Sequence, residues 1–248
     1  MIKARASIER AKIGRRGRII DAAEDLIRSS GTTNFSMNSL ARHAGLSTNT
    51  TYNLIGSKAA VLYMLLNRSV ESIGSARLMA KKRRDPLEVL LHAGDTVVDA
   101  FTSEPGFFRP LLRFLFSADE PDHRAEFMRR SYSYWASAAA PLEKSGKLLA
   151  TGLDANDLAR DMLLYFTGAT ECWVHDELGT EQFRTQVAHG ISLRLLCIAD
   201  DRERECLIQN ISDARSSFVM PSERANRQHS ALSAMPVTAQ RRIRHRRH

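Results

Sequence analysis

The sequence predicts an all-α protein, with a three-helix head at the N-terminus and a longer helical part after it. Apolar residues recur at helical spacing through most of the 248 residues. Glycines and helix-capping serines separate these periodic segments. No segment shows the alternation of a half-buried strand or the glycine-rich loop of a mixed fold. These observations favour a bundle of helices over any architecture that contains a sheet.

The composition narrows the class of protein further. Hydrophobic residues make up 43% of the chain, which is ample for a core. The three cysteines, Cys172, Cys197 and Cys206, lack the spacing of a disulfide framework or a zinc site. No run approaches the roughly 20 apolar residues of a membrane span, and the N-terminus lacks the apolar segment of a signal peptide. We therefore expect a soluble, cytoplasmic protein with no metal, no cofactor and no membrane partner.

The net charge of +8 is concentrated at the two ends of the chain. Residues 1–18 and residues 221–248 each hold seven Lys or Arg against one Glu, which leaves a net charge of −4 for the rest. Basic segments of this kind attract phosphate groups in a salt-sensitive way. We predict a basic arm over residues 1–17 and a disordered basic tail over residues 219–248, where large apolar residues are few. Whether the tail binds anything stays open, since an inert solvated tail has the same composition.

The head is delimited by signals that stop and start helices. A first helix follows the basic arm from about Arg18, and its apolar face includes Ile19, Ala23 and Ile27. The remaining boundaries are Gly31 at the end of this helix, Ser36 as the cap of the second, Gly45 and Ser47 at the turn into the third, and Ser57 as the cap of a fourth. Two short helices joined by such a tight turn are typical of a helix-turn-helix.

The third helix is unusually polar. The residues from Thr48 to Asn53 are poor helix formers with little apolar surface to bury, so neighbouring elements must hold this helix in place. Hydroxyl, amide and phenol groups on its outer side suit contacts to a DNA groove and its phosphates. The alternative interpretation is that Asn49 is only solvated and Tyr52 only packs. The candidate DNA-binding residues are Ser36, Ser47, Thr48, Asn49, Thr50, Tyr52, Asn53 and Lys58.

Motifs in the head carry a resemblance to a known family. They are Arg16-Gly-Arg-Ile-Ile-x-Ala-Ala, Gly31, Ser36-x-x-x-Leu-Ala-x-x-Ala-Gly45, Leu46-Ser47 and Tyr52-x-Leu-Ile-Gly-Ser-Lys58. This part of the chain, about a fifth of its length, resembles the TetR-type (tetracycline-repressor-like) transcriptional regulators. Asn49 stands where the family often has glycine, and Thr51 where it often has an apolar residue, so the base contacts stay open. The resemblance implies a double-stranded DNA operator, a small-molecule effector and a homodimer.

The chain after residue 80 is predicted to be helical to about residue 216. Asp85, Pro86 and Glu88 form a helix start with a capping box. The other predicted features are a charged break at 81–84, a kinked buried segment at 107–117, a helix at 122–146 bent near Pro141, a helix opened by Asp154, a helix capped by Thr180 and a last polar helix at 201–216. We predict a DNA-binding domain at 18–62 and an effector-binding and dimerisation domain at 63–218. By the resemblance, helices 154–178 and 181–199 form the dimer interface.

Aromatic residues concentrate in the middle of the second part. They are interpreted either as ordinary core or as the lining of a ligand pocket, because helical bundles build apolar cavities from inward side chains. The resemblance implies an effector pocket in this part without identifying the effector. The candidate pocket residues are Phe108, Phe114, Tyr132, Trp135, Tyr165, Phe166, Glu171 and Trp173.

Three functional hypotheses follow. The first is a regulator, favoured as a ligand-released repressor, that binds a palindromic operator as a dimer. The second is a helical interaction protein that binds nucleic acid without specificity or binds a protein partner. The third is an enzyme that uses Glu171 and His175, but no recognisable catalytic motif accompanies them. We therefore predict a regulator and not an enzyme, and leave repression or activation open.

Overall fold

The fold was obtained as a computed structural model, which describes residues 2–79, 85–117 and 121–217. The predicted charged break at 81–84 and the predicted tail at 219–248 lie outside these ranges. Within them the chain forms ten α-helices, one 3₁₀ turn at Leu149–Thr151 and no strand, which confirms the all-α prediction. The helices are α1 Ile2–Ser30, α2 Met37–His43, α3 Thr48–Ile55, α4 Lys58–Met79, α5 Pro86–Ser103, α6 Pro105–Ser117, α7 Pro121–Lys144, α8 Ala155–Val174, α9 Thr180–Leu195 and α10 Asp201–Ser217.

The first helix is longer than the sequence predicted. It runs for 29 residues from Ile2, so the prediction that a separate arm precedes a helix beginning near Arg18 is wrong. Alanine, arginine and lysine dominate its first half and are strong helix formers. Gly14 and Gly17 do not interrupt it, because neither has a positive φ. The basic side chains of this segment are therefore attached to the same helix that packs in the head.

The head consists of α1, α2, α3 and the start of α4, packed around a shared apolar core. Ile19, Ala23 and Ile27 of α1 are fully buried there, as the periodicity predicted. Arg68 of α4 pairs with Asp21 at 2.5 Å and also with Glu24, so two carboxylates of α1 bind one guanidinium. These contacts connect α1 to the helix that leads out of the head.

The remaining helices continue the same core without a gap. A single cluster of buried apolar residues extends from Ile19 in the head to Leu207 in α10. In it α5 packs against α4, α6, α7 and α9, while α7 packs along α8 and α9 along α10. The predicted domain boundary at residue 62 falls inside α4. In the part of the chain described, none of the helices is long and apolar enough to cross a membrane.

Helix starts in the second part follow local capping chemistry. Asp85 accepts a hydrogen bond from the Leu87 amide at 2.9 Å with Pro86 next to it, and Asp154 forms a capping box with Asp157. The predicted cap at Thr180 is wrong by one residue. Gly179 occupies the N-cap position in an extended conformation, and its amide donates to the side-chain oxygen of Gln182 at 3.1 Å.

Candidate DNA-binding surface and ligand cavity

A tight turn connects α2 to α3. Gly45 has a φ of +64°, which L side chains rarely adopt, and this reverses the chain after α2. The Leu46 amide donates to the Ala41 carbonyl at 2.9 Å, and the Gly45 amide donates to the Arg42 carbonyl at 3.1 Å. This is a Schellman motif, and it satisfies carbonyls that the end of α2 leaves free. Two short helices thus meet at a defined angle.

Ser47 starts α3 and Thr51 anchors it. The Ser47 hydroxyl accepts a hydrogen bond from the Thr50 amide at 3.2 Å, as the sequence predicted for an N-cap. Thr51 is fully buried, and its hydroxyl donates to the Ser47 carbonyl at 3.1 Å. The side chain thereby buries its methyl group without leaving a polar atom unsatisfied. Together with the buried Leu54, it holds the inner side of α3 against the head.

The outer side of α3 presents three polar side chains to solvent. Asn49 and Asn53 are exposed, and Tyr52 keeps 48% of its surface accessible. Thr48 and Thr50 are half-buried, and the Thr48 hydroxyl donates to the side-chain oxygen of Asn38 on α2 at 3.0 Å. Free amides and a free phenol are therefore available on this face, whereas the Thr48 hydroxyl already has a partner.

Ser36 and Lys58 occupy helix starts on either side of α3. The exposed Ser36 accepts from the Ser39 amide at 3.0 Å and caps α2. Lys58 is the first residue of α4, which Ser57 caps through the Ala60 amide at 3.1 Å. The Lys58 ammonium lies 5.1 Å from the ring centre of Phe35, and partial burial lowers its pKa. Lys58 is thus held against the head beside unpaired helix amides.

A cavity lies among the helices of the second part. Its empty volume, including the part that opens to solvent, is about 620 Å³. Helices α4 to α8 all contribute to its walls. Its lining consists of Val70, Ile73, Val97, Phe101, Leu112, Leu115, Phe116, Arg124, Phe127, Met128, Ser131, Tyr134, Trp135, Leu163, Phe166, Thr167 and Thr170.

Two of the eight candidate pocket residues, Trp135 and Phe166, line this cavity. Phe108 packs against Phe101 with ring centres 4.9 Å apart, and Phe114 packs against Tyr63 at 5.3 Å. Both belong to the core beside the cavity and not to its lining.

The other four candidates lie on or near α8 and α9. Tyr132 donates to the side chain of Asn156 at 2.8 Å, and Tyr165 donates to the main-chain carbonyl of Gln186. Trp173 is fully buried with its ring centre 5.3 Å from that of Phe183. Glu171 is exposed. The sequence identified a region rich in aromatics, but the candidate set missed most of the lining, namely its aliphatic residues, Arg124 and the aromatic residues Phe101, Phe116, Phe127 and Tyr134.

One signal in the sequence points to part of the lining. Arg124, Phe127, Met128, Ser131 and Trp135 follow helical spacing along α7, so they share one face. A search limited to aromatic residues overlooks such a mixed face. The faces contributed by the other helices depend on packing between distant parts of the chain.

The hypothetical enzymatic group at the end of α8 gains no support from the geometry. Glu171 and His175 are both exposed, and His175 is the C-cap of the helix. Burial and the neighbouring Glu177 raise the pKa of the Cys172 thiol, which disfavours a reactive thiolate. Across residues 2–79, 85–117 and 121–217, no three His, Cys, Asp or Glu side chains come together as a metal site.

These features define a helix-turn-helix protein with a helical second part that encloses an apolar cavity. No protein-family model and no curated protein matches the chain. Solved structures do match it. A TetR transcriptional regulator from Rhodococcus sp. RHA1 gives a TM-score of 0.61 at 14% sequence identity, covering 77% of this chain and 100% of that one.

Two further solved structures show the same similarity. Thermus thermophilus FadR, a TetR-family transcriptional repressor in complex with lauroyl-CoA, gives a TM-score of 0.60 at 23% identity, covering 73% of this chain and 93% of that one. A TetR-family regulator from Syntrophomonas wolfei gives 0.59 at 18% identity, covering 76% and 96%. At these identities the similarity concerns the fold. The chain has the fold of the TetR-type transcriptional regulators, as the motifs of the head predicted.

Proposed function

We propose that this chain is a sequence-specific, DNA-binding transcriptional regulator that acts in the cytoplasm and not as an enzyme. The observation that carries the proposal is the division of α3 into two sides. Thr51 and Leu54 are buried against the head, while Asn49, Tyr52 and Asn53 face solvent. A short polar helix held in this way suits the major groove of DNA.

One group of side chains would contact base edges, and a second group would contact phosphates. We assign Thr48, Asn49 and Thr50 at the start of α3 to base edges, because an asparagine amide pairs bidentately with adenine and threonine methyl groups can contact the thymine methyl even where the hydroxyl has a partner. Tyr52, Asn53 and Lys58 would bind phosphates and position the head, with Ser36 and Ser47 at the helix starts beside them. The basic residues along the first half of α1 would add attraction to phosphates without reading sequence.

We propose that two chains associate through α8 and α9, so that two heads reach the halves of a palindromic operator. These helices pack on each other and leave Leu164 of α8 and Leu193 of α9 exposed. Leu164→Glu should shift the protein to a monomer in analytical ultracentrifugation. Leu149→Glu, at the more exposed leucine of the 3₁₀ turn, is the control and should leave the dimer intact.

The proposed regulator is a repressor that a small molecule releases from DNA. The cavity offers the site, and α6 offers a route to the head. Leu112, Leu115 and Phe116 of α6 line the cavity, while the start of the same helix contacts α1. A ligand changes the affinity for DNA only to the extent that it binds one arrangement of these helices better than the other. In this scheme residues 18–62 bind DNA, and residues 63–218 bind the effector and the second chain.

The decisive experiment compares two duplexes. A palindrome from the promoter of the chain's own gene should bind at least about a thousandfold more tightly than a random duplex at the same salt concentration. A ratio near one would instead support the alternative, a helical interaction protein that binds nucleic acid without specificity. The absence of DNA binding at any salt concentration would favour a protein partner.

A further inference from the structure

The described residues that line the cavity include one charged side chain and few hydrogen-bond donors that are free to bind a ligand. Arg124 is the one charged residue among the described side chains that line it. Three hydroxyls of the lining donate to main-chain carbonyls at 2.7 Å, which leaves them without a hydrogen to offer a ligand. These are Tyr134 to Ala93, Thr167 to Leu163 and Thr170 to Phe166. Burial also raises the pKa of the Tyr134 phenol, so it stays neutral.

Among the described side chains of the lining, donors remain on Arg124, on Ser131 and on the indole nitrogen of Trp135. Arg124 uses one N–H of its guanidinium to bind the Leu115 carbonyl near the end of α6, at 2.9 Å. A guanidinium has five N–H donors, so others are available. No carboxylate of the described residues pairs with Arg124. Ser131 lies two turns further along the same face of α7.

From this arrangement we propose that the cavity binds an amphipathic acid: an apolar body in the cavity, with an oxyanion head on Arg124 and Ser131. The inference rests on the proposed ligand-responsive function and specifies its effector class. Isoleucine, leucine, valine and phenylalanine side chains of the lining match the apolar body. A carboxylate or phosphate monoester supplies acceptors for the free donors, and its charge matches the guanidinium. A cationic ligand finds no carboxylate among the described residues of the lining and meets the like charge of Arg124.

The test measures binding in the absence of DNA, by calorimetry and by the fluorescence of Trp135, which lines the cavity. Four probes each contain one straight chain of twelve carbon atoms and are used below their micelle concentrations: dodecanoate, whose twelfth carbon is the carboxylate, dodecyl phosphate, 1-dodecanol and dodecyltrimethylammonium. At least one of the two anions should bind about tenfold or more tightly than the alcohol and the cation, since a hydrogen bond to a charged group gives about this factor. The stronger of the two anions identifies the head group. Equal binding of the alcohol, or tighter binding of the cation, would overturn the proposal.

Variants then test Arg124 itself. Arg124→Gln should abolish the preference for the anion while keeping the affinity for dodecanol, and Arg124→Lys should keep part of the preference. Arg129→Gln is the matched control, because Arg129 lies on the same helix with its guanidinium paired to Glu126 and does not line the cavity. If Arg124 only caps α6, Arg124→Gln will bind the anion and the alcohol in the wild-type ratio, which refutes the site. The wild-type preference among the four probes decides the matter even if Arg124→Gln is unstable.

The anion site and the proposed regulatory function can be refuted independently of each other. Failure to prefer one DNA sequence, with dodecanoate or dodecyl phosphate still preferred over dodecanol, would refute the regulator and leave the anion site standing. Specific DNA binding without any preference for an anionic probe would refute the anion site and leave the regulator standing.

Discussion

Arg16 of α1 donates a hydrogen bond from its Nε to the main-chain carbonyl of Leu54, 2.9 Å away in the last turn of α3. Carbonyls in the last turn of a helix have no partner within the helix, so a basic side chain there both satisfies and stabilises it. One residue of the predicted basic arm is thus a structural support for the proposed recognition helix. The sequence predicted that this basic segment attracts phosphates, and it did not predict the structural contact that Arg16 makes.

Arg16→Ala should therefore lower stability as well as DNA affinity. We expect the free energy of unfolding to fall by about 0.5 to 1.5 kcal/mol, the usual value of one such hydrogen bond. Arg18→Ala is the control, since Arg18 is exposed and should change only the phosphate attraction. Urea denaturation of both variants measures the difference. Equal stability of the two would show that the bond to Leu54 does not support α3.

The remaining basic residues of α1 should determine salt sensitivity. A double variant, Arg10→Ala with Lys12→Ala, should flatten the log–log dependence of DNA affinity on salt by about 0.9 for each phosphate that the variant no longer binds. Sequence preference should stay the same, because phosphate contacts carry no base information. Titrations of operator and random duplex over a series of salt concentrations test both statements. A changed operator preference with an unchanged slope would mean that this segment reads bases.

Asn49 and Lys58 should have different effects on recognition. Asn49→Ala should cost about 1 to 3 kcal/mol on the preferred operator and relax one base position, because the exposed amide has no partner in the head. Lys58→Ala should weaken all duplexes about equally, since its ammonium lies beside the start of α4. Selection of binding sites from a random pool decides between these effects. Unchanged preference in Asn49→Ala, or altered preference in Lys58→Ala, would contradict the assignment.

Arg28 should transmit ligand binding to the head. It pairs with Glu104 just before α6, and its guanidinium lies 4.3 Å from the ring centre of Phe107 within α6. Arg28→Ala should reduce the ligand-induced loss of operator affinity, which for coupled sites typically corresponds to about 1 to 3 kcal/mol. DNA affinity without ligand and ligand affinity without DNA should change much less. Arg129→Ala, at a surface pair on α7, is the control. Full coupling in Arg28→Ala would exclude this contact as the route.

Gly190 should be intolerant of a side chain. A Cβ added there would overlap the ring of Tyr165, whose hydroxyl is already fixed to the Gln186 carbonyl. Gly190→Ala should destabilise the protein by about 1 to 3 kcal/mol, the usual cost of overpacking. Gly74→Ala is the control, because its Cβ would meet Tyr134 only at an ordinary contact distance of 3.8 Å. In that variant alanine should stabilise α4 by about 0.5 to 1 kcal/mol. Thermal denaturation followed by circular dichroism compares the two.

The sequence by itself determined the helical class and most helix boundaries of the head. Gly45, Ser47 and Ser57 were predicted to end or cap helices, and the structure confirms all three. These boundaries depend on hydrogen bonds between residues three to five positions apart, together with the freedom of glycine at positive φ. Such short-range chemistry is readable from residue order alone.

Only the tertiary structure decided which side chains meet across the chain. Arg16 reaches Leu54 over 38 positions, and its neighbours in the sequence have the same charge without the same partner. Trp135 and Phe166 line the cavity while the equally aromatic Phe108 and Trp173 pack beside it. Composition cannot separate these residues, because burial of an aromatic ring stabilises the core in either position. What distinguishes them is the direction in which each helix face points after packing, and that is set by contacts between distant segments.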